Sequence, residues 1–272
     1  MKQILEAVRR QAPLVHSITN YVTVNDCANM LLACGASPIM ADDIDEVEEI
    51  TSLCQGLNLN IGTLNRNTIP AMLAAGKKAN ELNRPVVLDP VGAGASRLRT
   101  ETALALLGEV RLTVLRGNIS EIKTLALGSG TTKGVDADLA DQVTETALDG
   151  AVRFAKDFAR RSGAVIAITG AIDIVADGEK AYCIRNGHPM MGRVTGTGCQ
   201  LSALTAAFLA ANPGVPLEAA AAAVCAMGLC GELAHQRLGH LDGNAAYRNL
   251  ILDAMYQLTP AQLEEGANYE VR

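Results

Sequence analysis

Short runs of aliphatic and β-branched residues recur along this chain, each followed by a longer stretch with helical spacing, and this alternation restricts the fold more than any other feature. The runs at 38–41, 57–62, 85–89, 112–116 and 165–169 read as strands. Helical patterns are expected near 22–34, 43–54, 67–83, 100–107, 118–127 and 140–161. Strand–helix alternation of this kind specifies an α/β fold in which helices cross over a mostly parallel sheet. The middle runs are apolar at nearly every position, as expected where both sheet faces are covered. Segments 173–177 and 180–185, split by Gly178, predict a hairpin at the sheet edge, and helices follow near 197–211, 216–238 and 245–257. The polar stretch 128–141 reads as a mobile surface loop, and neither repeats nor a linker divide the chain.

The 272 residues therefore predict one domain over 1–272. Hydrophobic residues make up 49% against 19% charged, enough apolar surface for two sheet faces. A net charge of -6 and the absence of tryptophan leave no footprint for nucleic acid. Seven cysteines form no CxxC pair, and their odd number fits a reducing compartment. The first residues, MKQILEAVRRQAP, lack the apolar run of a signal peptide, so a cytoplasmic location is expected. The apolar region from 201 to 230 is broken by Asn212, Pro213, Gly214, Pro216 and Glu218, which argues against a membrane span.

Ligands of open α/β sheets bind beyond the carboxyl ends of the strands. Asp89 ends PVVLD before the flexible Gly92-Ala93-Gly94, where a carboxylate serves either to hold magnesium or to cap a loop. Arg116 ends the next strand and could grip phosphate oxygens. Asn118 and Glu121 beside it have helix-cap spacing as well as a carboxylate suited to a metal. Thr169 and Gly170 end VIAIT and could meet a nucleotide phosphate or simply make a turn.

The most specific segment is TGTGCQLSALTAAFLAA, 195–211. Gly196 and Gly198 let the backbone turn with N–H groups inward at the start of a helix, which makes an anion site suited to a transferring phosphoryl group. Cys199 lies in the first turn, where the helix dipole favours some thiolate and a general base could act; the alternative is a small buried residue. No GxxxxGK[ST] occurs, and the late Gly196-Thr197-Gly198 run lacks the third glycine of a dinucleotide fingerprint. His16, His188, His235 and His240 form no zinc-type pair.

Taken in order, PLVHSITNYV, LLACGASPIMA, LNIGTL, PVVLDPVGAGAS, RGNISEI, AITG with Asp173 following, and VTGTGCQLSA resemble the hydroxyethylthiazole kinases of thiamine salvage over nearly the whole chain. The resemblance implies a ribokinase-like three-layer α/β/α fold and a magnesium-dependent transfer from ATP to the primary alcohol of 4-methyl-5-(2-hydroxyethyl)thiazole. Carried over residue by residue, Met40, Gly196 and Asn20 fall on substrate-pocket positions, Arg116, Thr169 and Gly198 on the ATP side, and Asp89 and Glu121 on the acidic pair around metal and phosphates. Cys199 stands where wider ribokinase-like relatives usually carry Asp. The resemblance also implies a homotrimer with shared sites. A kinase for pyrimidine or pyridoxal alcohols, or a non-catalytic nucleotide or thiazole sensor, are the competing readings.

Overall fold

The computed structural model of the chain describes residues 1–128 and 143–272. Six strands run parallel: β1 (Leu14–Ile18), β2 (Ser37–Ile39), β3 (Gly56–Asn60), β4 (Val86–Asp89), β5 (Val114–Asn118) and β6 (Val165–Thr169). Three antiparallel strands extend the sheet: β7 (Asp173–Ala176), β8 (Ala181–Ile184) and β9 (Tyr269–Val271). The order across the sheet is β2-β1-β3-β4-β5-β6-β7-β8-β9.

Helices cover both faces. One layer holds α1 (Lys2–Gln11), α2 (Val24–Cys34), α8 (Thr197–Ala211), α9 (Pro216–Gln236), α10 (Asn244–Gln257) and α11 (Pro260–Gly266). The other holds α3 (Val47–Leu53), α4 (Thr68–Glu81), α5 (Arg97–Glu109), α6 (Ile119–Leu127) and α7 (Leu148–Ser162). This is the three-layer α/β/α arrangement with a mostly parallel sheet.

The two-residue strand period decides which groups meet α8. Val86 and Leu88 of β4 enter the α3–α7 core, whereas Val87 enters the α8 core. Leu115 and Val114 of β5 divide the same way, as do Ile166 and Ile168 against Val165 and Ala167 of β6. Two residues further along the α8 face come Asp89, Arg116 and Thr169, the last α8-facing positions of their strands. The alternation that builds the core thus also delivers a row of polar groups to one edge of α8.

Helix α8 itself is buried on nearly every side from Gln200 to Leu209, and α9 packs Ala219 to Ala223 without exposed surface. Small side chains let these helices lie close together. By length and composition α9 could cross a membrane, yet 83% of its apolar window is buried within the fold.

Several elements depart from expectation. The residue pattern misses α1, β1, α11 and β9. In β1, polar His16 and Ser17 interrupt the apolar run, but both are satisfied inside: His16 lies 2.9 Å from Thr51 Oγ1 and 2.8 Å from the Ala41 carbonyl, and Ser17 accepts from Asn58 Nδ2 at 2.8 Å. Burial holds the His16 imidazole below its ordinary range. The hairpin β7–β8 is present but is not the sheet edge, because β9 pairs with β8. Helix α7 begins at Leu148 rather than near 140; Val143, Thr144 and Thr146 before it are β-branched and have low propensity for a helix interior. The polar stretch 128–141, beyond Gly128, and positions 140–142 lie outside the described residues.

Candidate active site

Three strand ends converge on Asp89. Its side chain is fully buried, and Oδ2 accepts from Asn60 Nδ2 (2.9 Å), Ser202 Oγ (2.7 Å) and Arg116 Nη1 (3.2 Å). Oδ1 has no partner. A carboxylate buried this way leaves one oxygen with open lone pairs, as a cation or its water shell requires. Arg116 continues the row by donating from Nη2 to Thr169 Oγ1 at 2.9 Å.

The same guanidinium lies against the start of α8. A Cβ at Gly198 would stand 2.7 Å from Arg116 Nη1 and 2.8 Å from Nη2, so only glycine permits the approach. No side chain of the described residues caps α8, and its first backbone bond runs from Gln200 N–H to the Gly196 carbonyl. The earlier N–H groups therefore have no acceptor within the helix. A cation held at the positive end of a helix is unfavourable until an anion joins them. Gly196 has φ 85°, and a Cβ there would meet Thr23 Cγ2 at 2.4 Å, which fixes glycine on two counts.

Cys199 is half-buried in the first turn of α8, whereas the other six cysteines are buried. Burial pushes the thiols of Cys27, Cys34 and Cys225 up to about 12, so they stay protonated. Asn20 Nδ2 donates to Cys199 Sγ at 3.2 Å and to Asn60 Oδ1 at 3.0 Å.

Glu121 serves the helix cap and the loop after β4 together. Its Oε2 accepts from Asn118 N and its Oε1 from Gly92 N, at 2.9 and 2.8 Å, while Asn118 Oδ1 accepts from Glu121 N. The capping box is thus real, and each carboxylate oxygen retains a further lone pair. Burial raises the Glu121 carboxyl above the usual range, with nearby Asp89 adding to the effect and the Gly92 and Asn118 N–H groups and Arg116 opposing it.

Beyond Arg116 and Thr169 opens a cavity of about 670 Å³, lined on its apolar side by Leu201, Val224 and Met227 and on its polar side by Asp173 and Asn186. Burial pushes the Asp173 carboxyl up to about 7, against the Gly170 N–H that donates to it at 2.8 Å and the charge of Arg116. Small residues on α9 seat the far wall: a Cβ at Gly228 would strike the Asn186 backbone at 2.6 Å, and one at Gly231 would strike Met191 Sδ at 2.3 Å.

The fold therefore gathers Asn20, Asp89, Arg116, Thr169, Gly196, Gly198 and Cys199 around the α8 start, with Glu121 tied in through the Gly92 loop. Met40 stands apart, half-buried just past β2 at the other end of the row, though it packs on the same core as Cys199. Asn60 and Ser202 escaped the sequence reading. Their signals were present: LNLN places two amides in an otherwise apolar strand, and Ser202 lies one helical turn after Gly198.

Residues 5–261 match the model of the Hydroxyethylthiazole kinase family. The chain is 65% identical to a hydroxyethylthiazole kinase of Clostridium acetobutylicum over 99% of both chains. It is 50% identical to that of Desulfovibrio desulfuricans, covering 97% of this chain and 96% of the other. A solved hydroxyethylthiazole kinase structure from Pyrococcus horikoshii OT3 superposes with a TM-score of 0.88 at 37% identity, with full coverage of both. A Staphylococcus aureus pyridoxal kinase solved with AMP-PCP and pyridoxal, 17% identical with a TM-score of 0.60 over 96% of this chain and 98% of the other, shares the fold. On this agreement in sequence and structure, the chain belongs to the hydroxyethylthiazole kinase family.

Proposed function

We propose that this chain transfers the γ-phosphoryl group of ATP to the primary alcohol of 4-methyl-5-(2-hydroxyethyl)thiazole, giving the thiazole phosphate used to build thiamine phosphate. The observation that carries this reading is the Arg116 guanidinium pressed on the uncapped start of α8 beside the half-satisfied Asp89 carboxylate. Such an arrangement is suited to a phosphoryl group, whose loose transition state is stabilised mainly by positioning and charge.

In this reading the nucleotide occupies the cavity beyond Arg116 and Thr169, and its terminal phosphate reaches the N–H groups at Gly196–Cys199. The alcohol enters from the Asn20 and Met40 side and meets the backbone of Gly196. Its oxygen forms a bond to the γ-phosphorus as the bond to the ADP oxygen breaks, and its proton passes to Cys199. Asp89, through the open Oδ1, and Glu121, through its spare lone pairs, are the residues to hold Mg²⁺. When bound, that ion offsets triphosphate charge. Arg116 and the helix start, lying side by side, hold the remaining negative charge together.

Residues 1–272 act as one kinase domain in the cytoplasm, assembled as a homotrimer in which Met40 and the N-terminal segment of one subunit complete the phosphate loops of the next. Exposed Tyr21 and Val22, next to Asn20, are apolar groups for such a contact. A coupled assay of ATP consumption against thiazole alcohol, pyridoxal and a hydroxymethylpyrimidine tests the reading. Turnover with thiazole alcohol is expected; selective turnover with another alcohol, or binding without turnover, refutes it.

A further inference from the structure

Asn60 is 1% exposed and does not line the cavity beyond Arg116, yet its amide joins the two halves of the site. The direction of every bond in the chain follows from its ends. An ionised carboxylate only accepts, so Asn60 must turn Nδ2 toward Asp89 Oδ2, 2.9 Å away. Its Oδ1 then accepts from Gly62 N at 2.9 Å and from Asn20 Nδ2 at 3.0 Å. Asn20 is oriented independently from its other side, because its Oδ1 accepts from Thr23 N (3.1 Å) and Thr23 Oγ1 (3.0 Å). Both hydrogens of the Asn20 amide are thereby assigned, one to Asn60 and one to Cys199 Sγ at 3.2 Å. The sulphur is held as an acceptor, and any hydrogen of its own is directed away from Asn20.

We propose that Asn60 is a positioning residue for phosphoryl transfer: it locks the Asn20 amide so that an N–H is aimed at Cys199, and it fixes the Asp89 carboxylate through Oδ2. The inference rests on the reaction proposed above. No other side chain contacts both Asp89 and Asn20 among the hydrogen bonds of the described residues. Gly62 beside the pair carries no side chain, and a Cβ there would lie 3.0 Å from both Asn60 Oδ1 and Asn20 Cβ. Outer groups that orient acting residues in this way typically change activity by about 10- to 100-fold when removed.

The test uses Asn60→Leu and Asn60→Ala, the second leaving room for water should the leucine chain fail to fold. Steady-state kinetics with thiazole alcohol and ATP should show kcat reduced about 10- to 100-fold with the KM for the alcohol within about twofold. Alkylation of Cys199 by iodoacetamide provides a readout that packing alone would not move, because the other cysteines are buried. With Asn20 released, its rate at fixed pH should change by about threefold or more in either Asn60 variant, and Cys199→Ala supplies the blank. In a double-mutant cycle, adding Asn60→Ala to Asn20→Ala should leave the alkylation rate unchanged. A folded Asn60 variant with wild-type kcat, a loss expressed only in KM, or alkylation effects that add in the cycle would overturn the proposal. Failure of the wild-type chain to phosphorylate the thiazole alcohol would instead sink the underlying reaction.

Discussion

Gly198→Ala isolates the contact between Arg116 and the α8 start with a single methyl group. The new Cβ would sit 2.7 Å from Arg116 Nη1 and 2.8 Å from Nη2, against an ordinary contact of about 3.5–4.0 Å, so the guanidinium must retreat by about 1 Å. That retreat breaks its 3.2 Å bond to Asp89 or its 2.9 Å bond to Thr169, and carries it away from the phosphate position. Losing one charge-assisted contact in the transition state costs about 2–3 kcal/mol, which is about 30- to 150-fold in kcat/KM for ATP. The fold should tolerate the change, since alanine in a helix is favoured over glycine by up to about 1 kcal/mol. Steady-state kinetics beside a thermal melt would therefore show crippled turnover in a chain that still melts cooperatively. Combined with Arg116→Ala, the methyl group should add almost nothing. Wild-type kcat/KM in the single variant, or a full further loss in the double variant, would refute the reasoning.

Other outcomes are equally specific. Cys199→Ala should slow single-turnover chemistry by about 100-fold, the low end of general-base effects, while Cys199→Asp retains turnover; an unchanged Ala variant would remove Cys199 from the mechanism. Stripping divalent ions with a chelator should abolish turnover and magnesium should restore it, whereas Asp89→Asn should not be restored by any magnesium concentration; full activity without the ion contradicts the roles given to Asp89 and Glu121. Because burial raises the Asp173 carboxyl from 3.8 to about 7, the folded state binds its proton more tightly than the unfolded chain does, so stability is full below about pH 4, falls between pH 4 and 7, and is flat above. Asp173→Asn should remove that decline, worth about 1–2 kcal/mol after allowing for the opening to the cavity, and melts of both proteins across pH 4–8 that run parallel would contradict it. Sedimentation at working concentration should give a trimer, and a monomer would argue against shared sites.

Much of this site was legible before any fold was known, for a physical reason. Apolar strands covered on both faces stop where polar residues begin, so Asp89, Arg116 and Thr169 marked themselves as strand ends. Gly196 and Gly198 stood out because a helix rarely opens on two glycines without a close neighbour, and the neighbours proved to be Thr23 and Arg116. What escaped notice depended on tertiary partners. β1 reads poorly because His16 and Ser17 look unsuited to a buried strand until Thr51, Ala41 and Asn58 are brought alongside. β9 is a three-residue strand that exists only through its pairing with β8. Asn60 belongs to the segment LNIGTL, but nothing local shows that its two ends face residues 29 positions later and 40 positions earlier. Glu121 showed the opposite ambiguity, since cap and carboxylate readings both hold, the first from its backbone bonds and the second as a proposal.

The most direct test is a crystal structure with thiazole alcohol and a non-hydrolysable ATP analogue. The account predicts the terminal phosphate within about 3 Å of the first backbone N–H groups of α8, with Arg116 beside those groups also in contact with it and the hydroxyl between it and Cys199. Ligands seated elsewhere, touching neither Arg116 nor the α8 start, would contradict it.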